Sequence, residues 1–394
     1  MNTTTLTPQT ATFVDHRRLG WLLASGLTLM PFVGIGLREA LGSDLWLFVP
    51  TLVLYVLLPL ADAVIGADRS NPAESDVPSL EADPFYRRVV YLSVPLLYLT
   101  LVAGAWYAMN ADLSWYGYLG IAIAIGWTAG VGINVGHELG HKRSVTERRM
   151  AQLALAPAAY GHFCIEHNQG HHRDVATPED PASARLGESY YRFMVREIPG
   201  ALMRAWRLEQ ARLAREHRES WSIHNQILQT AILTAVVWGG LLVWLGAGVL
   251  PLLLVQAVVA YSLLSAANYI EHYGLLRQKT ADGGYERPRP EHSWNSNHVL
   301  SNILLYQLQR HSDHHAHAAR RYQALRHFDE APQLPSGYFG MYLLAYLPPL
   351  WFRVMDPRVL DHAGYDAARI NLDPARRDRL VARYGLADKA AAQE

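Results

Sequence analysis

The chain has 394 residues, half of them apolar and 18% charged, with a formal net charge of zero. That balance excludes a nucleic-acid binder, which would carry a basic excess, and one cysteine, Cys164, excludes an internal disulfide or a four-cysteine metal site made by this chain alone. Eighteen histidines, most of them in a few short windows, are the unusual feature.

Residues 1–13 are polar and lack the basic and apolar regions of a signal peptide. Six apolar stretches follow, at 19–37, 45–65, 89–109, 117–135, 227–247 and 249–269. Each approaches the roughly 20 residues that cross a bilayer as a helix. Asp62 is their one charge, and Pro31, Pro59 and Pro95 lie inside runs, which membrane helices tolerate. Trp21, Trp46, Trp106, Trp115 and Trp244 near run ends suit an interfacial belt. Arg17, Arg18, Arg69, Arg87 and Arg88 flank the runs on one side, while the 110–116 turn on the other has no Lys or Arg. The positive-inside rule therefore puts both termini and both long polar segments in the cytoplasm.

The expected architecture is all-α, a six-transmembrane-helix bundle with a cytoplasmic helical cap. Residues 1–18 form a cytoplasmic N-terminal segment, 19–135 the first four spans, 136–226 a cytoplasmic segment, 227–272 the last two spans and 273–394 a second cytoplasmic segment. Within these, 190–219 reads as an amphipathic helix. Segment 332–354 is apolar but broken by prolines and glycines, so it reads as interfacial or re-entrant. The last twenty residues read as a polar helical tail.

Three windows carry the histidines: His137 and His141 where the fourth run ends, then His167, His171 and His172, then His311, His314 and His315. His272 closes the sixth run at the same depth. Residues four apart share a helix face, so His137/His141, His167/His171, and His311 with His314 or His315 can each converge on one metal ion. The adjacent histidine of each pair points about 100° around the helix and can reach a second ion. These ligands are too many for one tetrahedral zinc, and imidazole in quantity suits iron, copper or zinc. His16, His217, His224, His327 and His362 read as surface residues; His162 and His317 are open.

HELGHK (137–142), EHNQGHH (166–172), NYIEHYGL (268–275) and LQRHSDHH (308–315) resemble the integral-membrane alkane monooxygenases, within the wider class of histidine-box desaturases and hydroxylases. NYIEHYGL is the discriminating piece. LADAVIGADRSNP (60–72), TPEDPASAR (177–185) and HSWNSNH (292–298) extend the similarity over roughly residues 20–330. The resemblance implies a polyhistidine di-iron site, two non-haem iron ions on His137, His141, His167, His171, His172, His272, His311, His314 and His315. It implies hydroxylation of the terminal methyl of a linear alkane by O₂ in a bacterial inner membrane. Electrons would come from rubredoxin, itself reduced by rubredoxin reductase. These 394 residues lack rubredoxin's paired Cys-x-x-Cys motifs, so that carrier is expected on another chain or on a segment absent here.

Glu138, Glu166, Glu271 and Asp313 sit beside or between these histidines, where a carboxylate can accept the second ring N–H and fix the tautomer. His292, Asn295 and His298 are expected in the same layer, and Asp62, Asp68 and Asp180 as structural anchors. By resemblance the second helix lines a substrate channel, with Phe48, Leu52 and Tyr55 on one face and Leu47, Leu54 and Leu58 on another. Arg143, Arg148, Arg149, Arg320 and Arg321 offer a docking surface for an acidic electron carrier. The same centre could serve an acyl-chain desaturase or hydroxylase, or an aromatic-methyl monooxygenase. A metal transporter would need ionisable residues deep in the runs, which are nearly free of them.

Overall fold

The computed structural model describes Phe13 and residues 15–387. Most of the expected N-terminal segment, and the end of the expected tail at 388–394, lie outside the described residues. Among the described residues the fold is all-helical, and extended pairing is confined to isolated bridges.

In chain order the helices are α1 (Arg18–Leu27), α2 (Met30–Leu41), α3 (Asp44–Ile65), α4 (Pro84–Asn110) and α5 (Trp115–Gly140). There follow α6 (Val145–Leu155), α7 (163–174), α8 (Tyr190–Arg215), α9 (Gln226–Leu245) and α10 (Ala247–His272). After these come α11 (Val299–Leu304), α12 (His311–Ala316), α13 (Tyr338–Ala345), α14 (Pro348–Ala363) and α15 (Arg377–Tyr384), and a short unnumbered helix, Val77–Ala82, lies between α3 and α4. Five of these, α3, α4, α5, α9 and α10, are long and apolar enough to cross a membrane. The expected first span is a bent pair instead, α1 and α2 meeting at 61°. Pro31 stands in the first turn of α2, where it has no helical N–H to lose.

Pro59 shapes α3. Its ring would clash with the carbonyl four residues back. The helix relieves this by widening into a π turn over Val53–Leu57, with the Leu58 N–H bonded to the Val53 carbonyl.

Helix α5 is the buried centre of the bundle. Gly126 and Gly130, four apart, let α10 approach so closely that a Cβ on Gly126 would stand 2.6 Å from Val259 Cβ. Small residues at this spacing let membrane helices pack backbone to backbone. The 332–354 segment divides into α13 and the start of α14, neither long and apolar enough to span. The expected amphipathic helix at 190–219 ends at Arg215, and Phe193, Ala201, Ala205 and Leu213 form its buried stripe. Backbone bonds from Gly274 to Ala184 (2.9 Å), Arg277 to Ala176 (2.8 Å) and Leu186 to Asn371 (2.7 Å) knit the polar segments to each other.

Asp62, the one charge in the apolar runs, reaches out of α3 to start another helix. Its carboxylate accepts the N–H groups of Leu300 (3.0 Å) and Ser301 (3.1 Å) and the Ser301 hydroxyl. These are first-turn donors of α11 that would otherwise be buried without partners. Asp62→Ala is expected to cost about 1–3 kcal/mol, and Asp62→Asn less. Thermal unfolding in detergent, followed by circular dichroism, measures both.

Candidate metal centre

Helix α5 delivers His137 and His141 at its polar end, one turn apart. Gly140 lies against Cys164 of α7, where a Cβ would meet Sγ at 2.6 Å. This contact brings α7 alongside, so the rings of His137 and His167 stand 4.6 Å apart. Helix α10 contributes His272, and α12 contributes His311, His314 and His315.

The histidines gather into two groups. His137, His141, His167 and His314 form one, and His171, His272, His311 and His315 the other. Within each, one nitrogen from every ring lies within 4.8 Å of the others. His172 joins them: its Nε2 is 3.1 Å from that of His167 and 3.0 Å from that of His314, and its ring is 4.4 Å from His315. All nine expected histidines thus meet at one place.

The assortment differs from α-helical expectation at one point. His167 and His171 were expected to converge, yet they divide between the groups. Residues His167–His171 form a π turn. Its extra residue per turn brings His167 Nε2 to 3.1 Å from that of His172, five residues on, and turns His171 toward the other group. In α12, helical spacing holds: His311 and His315 share a group, while His314 joins the first.

Acceptors behind the rings fix some orientations. His272 Nδ1–H donates to the His292 carbonyl at 3.0 Å, which turns Nε2 to within 3.2 Å of His311 Nε2. His171 Nδ1–H donates to Asp180 at 2.9 Å. Asp180, read from sequence as an anchor, is thus the carboxylate that holds a histidine ring.

The expected carboxylates mostly do otherwise. Glu138 faces Lys142 at 3.0 Å. His137-Glu138-x-x-His141 has the spacing of a zinc-protease helix, but this glutamate is turned to a lysine. Glu166 is bound to Arg204, and Asp313 to Arg320 at 2.9 Å. Glu271 lies 3.4 Å from His311 Nε2 and accepts from Tyr338 at 3.0 Å. His292 acts through its backbone, and its ring accepts from the Arg289 N–H at 3.0 Å. Asn295 accepts from the Ser312 N–H at 3.0 Å and so pins the start of α12. His298 instead meets Ser296 at 2.8 Å. His327, expected at the surface, is buried against Asn297.

Burial, then mutual repulsion, holds His141, His167, His172, His311, His314 and His315 well below the usual histidine range. Burial opposes protonation of His171 too, but Asp180 outweighs it and raises that ring. His141 Nε2 and His171 Nε2 are buried with no hydrogen-bond partner. Neutral imidazoles with converging lone pairs are the state that binds a metal, and two ions fit this donor set.

An apolar cavity runs from Leu54 and Trp127 to His137, His167 and His311. Its walls include Ile133, Leu263, Leu264, Phe339 and Tyr342. Of the residues expected to line a channel, Leu54 does so. Tyr55 backs the wall, its ring 4.7 Å from that of Trp127. Leu47 is packed in the core with Leu101, Phe48 lies on Gly120, Leu58 is half-buried, and Leu52 is 51% exposed. Sequence reading missed Trp127, Phe339 and Tyr342, which carry no mark separating them from lipid-facing aromatics.

Residues 113–345 match the family model described as fatty acid desaturase. The chain is 48% identical over 374 residues to an alkane 1-monooxygenase of Ectopseudomonas oleovorans, covering 95% of this chain and 93% of that protein. It belongs to the alkane 1-monooxygenase family. Alkane 1-monooxygenase 1 of Alcanivorax borkumensis is 47% identical over 95% of this chain and 93% of its own. The xylene/toluene monooxygenase hydroxylase component of Pseudomonas putida is more distant, 30% identical over 73% of this chain and 78% of its own. As a family member the chain is an oxidoreductase.

Six of the buried rings titrate in the unfolded chain near the ordinary value of 6.5. Below that pH the unfolded state binds protons that the folded state refuses, so stability falls as pH drops. His171 works in the opposite direction, as one ring against six. Metal-stripped protein is therefore expected to lose melting temperature between about pH 7.5 and about pH 5.5. Differential scanning calorimetry across that range checks it.

Proposed function

We propose that the chain hydroxylates the terminal methyl of linear alkanes with O₂, giving primary alcohols, at two iron ions held by the nine histidines. One observation carries the reading: an apolar cavity lined by His137, His167 and His311 adjoins two convergent groups of imidazoles, in a member of the alkane 1-monooxygenase family.

An alkane offers no polar handle. Each CH₂ taken from water contributes about 0.8 kcal/mol, but a substrate already in lipid gains much less. The cavity's task is then orientation. Trp127 and Leu54 bound one end, Leu263, Leu264 and Phe339 hold the chain, and His137, His167 and His311 face the methyl. When bound, the irons supply O₂ activation and the oxidising power. The protein supplies placement, dryness and a fixed tautomer at His171 and His272.

The bundle is read as six spans, with α1 and α2 together crossing once, in a bacterial inner membrane. The two polar segments form a cytoplasmic cap, and both termini are cytoplasmic. Rubredoxin is the proposed electron donor, docking on that side. Arg320 and Arg321 are engaged in internal ion pairs with Asp313 (2.9 Å) and Glu147 (2.9 Å), so the exposed Arg143, Arg148 and Arg149 are the better docking candidates.

A second reading, oxidation of an aromatic methyl, is favoured only by the likeness to the xylene/toluene enzyme. Purified protein is to be assayed for metal and for single-turnover products from octane, dodecane, an acyl thioester and xylene. Two irons per chain and 1-alkanols are expected; iron-loaded protein that oxidises xylene alone would overturn the alkane reading. His141→Ala is expected to lower iron content and abolish alcohol formation. Leu54→Phe is expected to shorten the longest alkane accepted, whereas Leu52→Phe, on the outer face, leaves chain-length preference unchanged by gas chromatography of the products.

A further inference from the structure

The second histidine window contains a glycine, Gly170, whose reason lies in another helix. A Cβ there would meet the Arg204 guanidinium, 2.6 Å from Nε and 2.9 Å from Cζ. Arg204 projects from the middle of α8, and its side chain is 13% exposed. Its Nε donates to Glu166 at 2.9 Å, Nη1 to Asp174 at 3.4 Å, and Nη2 to Asp180 at 2.7 Å and to Glu166. One planar fork therefore serves three carboxylates, a geometry that an ammonium cannot reproduce.

The contact to Asp180 is the consequential one. Asp180 uses one oxygen for Arg204 and the Ala182 N–H at 3.1 Å, and the other for the His171 ring at 2.9 Å and the Ser183 hydroxyl at 2.7 Å. Both oxygens are thus committed, and the carboxylate cannot turn. Nearby cations are engaged elsewhere: Arg173 pairs with Asp174 at the surface, and Arg196 with Glu188. Removing Arg204 would leave Glu166 and Asp180, both buried, without their arginine partner.

We propose that Arg204 is a positioning residue for the metal centre: seated on the backbone of Gly170, it locks Asp180 onto His171 and thereby fixes the direction and tautomer of that ring. This rests on the reading of His171 as a metal ligand. Gly170 is what lets the guanidinium lie flat between α7 and α8. The arrangement makes α8, which holds none of the nine histidines, part of the apparatus that aims them.

The test uses full-length protein in detergent: wild type, R204Q, R204K, D180N, the double variant R204Q/D180N, and G170A. Iron retention is measured against a competing chelator, and the centre's Mössbauer spectrum and the helix content are recorded alongside. R204Q is expected to weaken iron retention on the order of 10–100-fold and to alter the spectrum while helix content stays. D180N should match it, and the double variant should be no worse than either, because both break one chain of contacts. G170A keeps the charge but displaces the guanidinium, and should reproduce the loss; R204K should restore only part. Unchanged retention and spectrum in R204Q, or losses that multiply in the double variant, would overturn the proposal. Should R204Q not fold, wild-type retention in folded G170A and R204K would overturn it equally. Wild-type protein that binds no iron would instead defeat the metal reading beneath.

Discussion

Everything at the centre depends on how closely helices can approach α5. A metal site made of imidazoles needs side chains from separate helices within a few ångströms of one point. Gly126 and Gly130 remove the side chains that would hold α10 away, and Gly140 does the same for α7. With those contacts, His137, His141, His167 and His272 come to one level without any loop having to carry them. In a bilayer there is little hydrophobic drive between helices, so shape of this kind does the selecting.

Gathering nine histidines beside so many carboxylates raises an electrostatic problem, and the chain solves it by dividing roles. Burial and mutual repulsion press most of the rings toward the neutral form, which keeps their lone pairs available, while Asp180 favours a proton on His171. The acids are drawn outward to cations: Glu138 to Lys142, Asp313 to Arg320, Glu166 to Arg204. Asp180 is shared between a cation and one of the nine rings, and Glu271 lies near a ring nitrogen on the inner side. A carboxylate adjacent in sequence to a ligand is therefore a poor guide to which carboxylate holds it.

The histidines themselves were legible, because short windows of imidazole at one depth have few other uses. The helical plan was legible from the length of the apolar runs. What escaped was what depends on backbone pitch and on distant pairing. Spacing alone could not show that His167–His171 adopts a π turn, nor that Pro31 opens a bend between α1 and α2. The outer contacts escaped because an arginine twenty-four residues beyond Asp180 in the chain decides them. The channel escaped because Leu47, Leu54 and Leu58 look alike in sequence, and only the packing of α3 against α5 and α13 separates them.

The π turn has a consequence for assembly. One stretch of five residues feeds both groups of donors, and α12 does the same with His311 and His314. Neither pocket can be shaped while the other is loose. Ordering this backbone for one group of donors therefore orders it for the other, and the two groups take shape as one unit of the polypeptide.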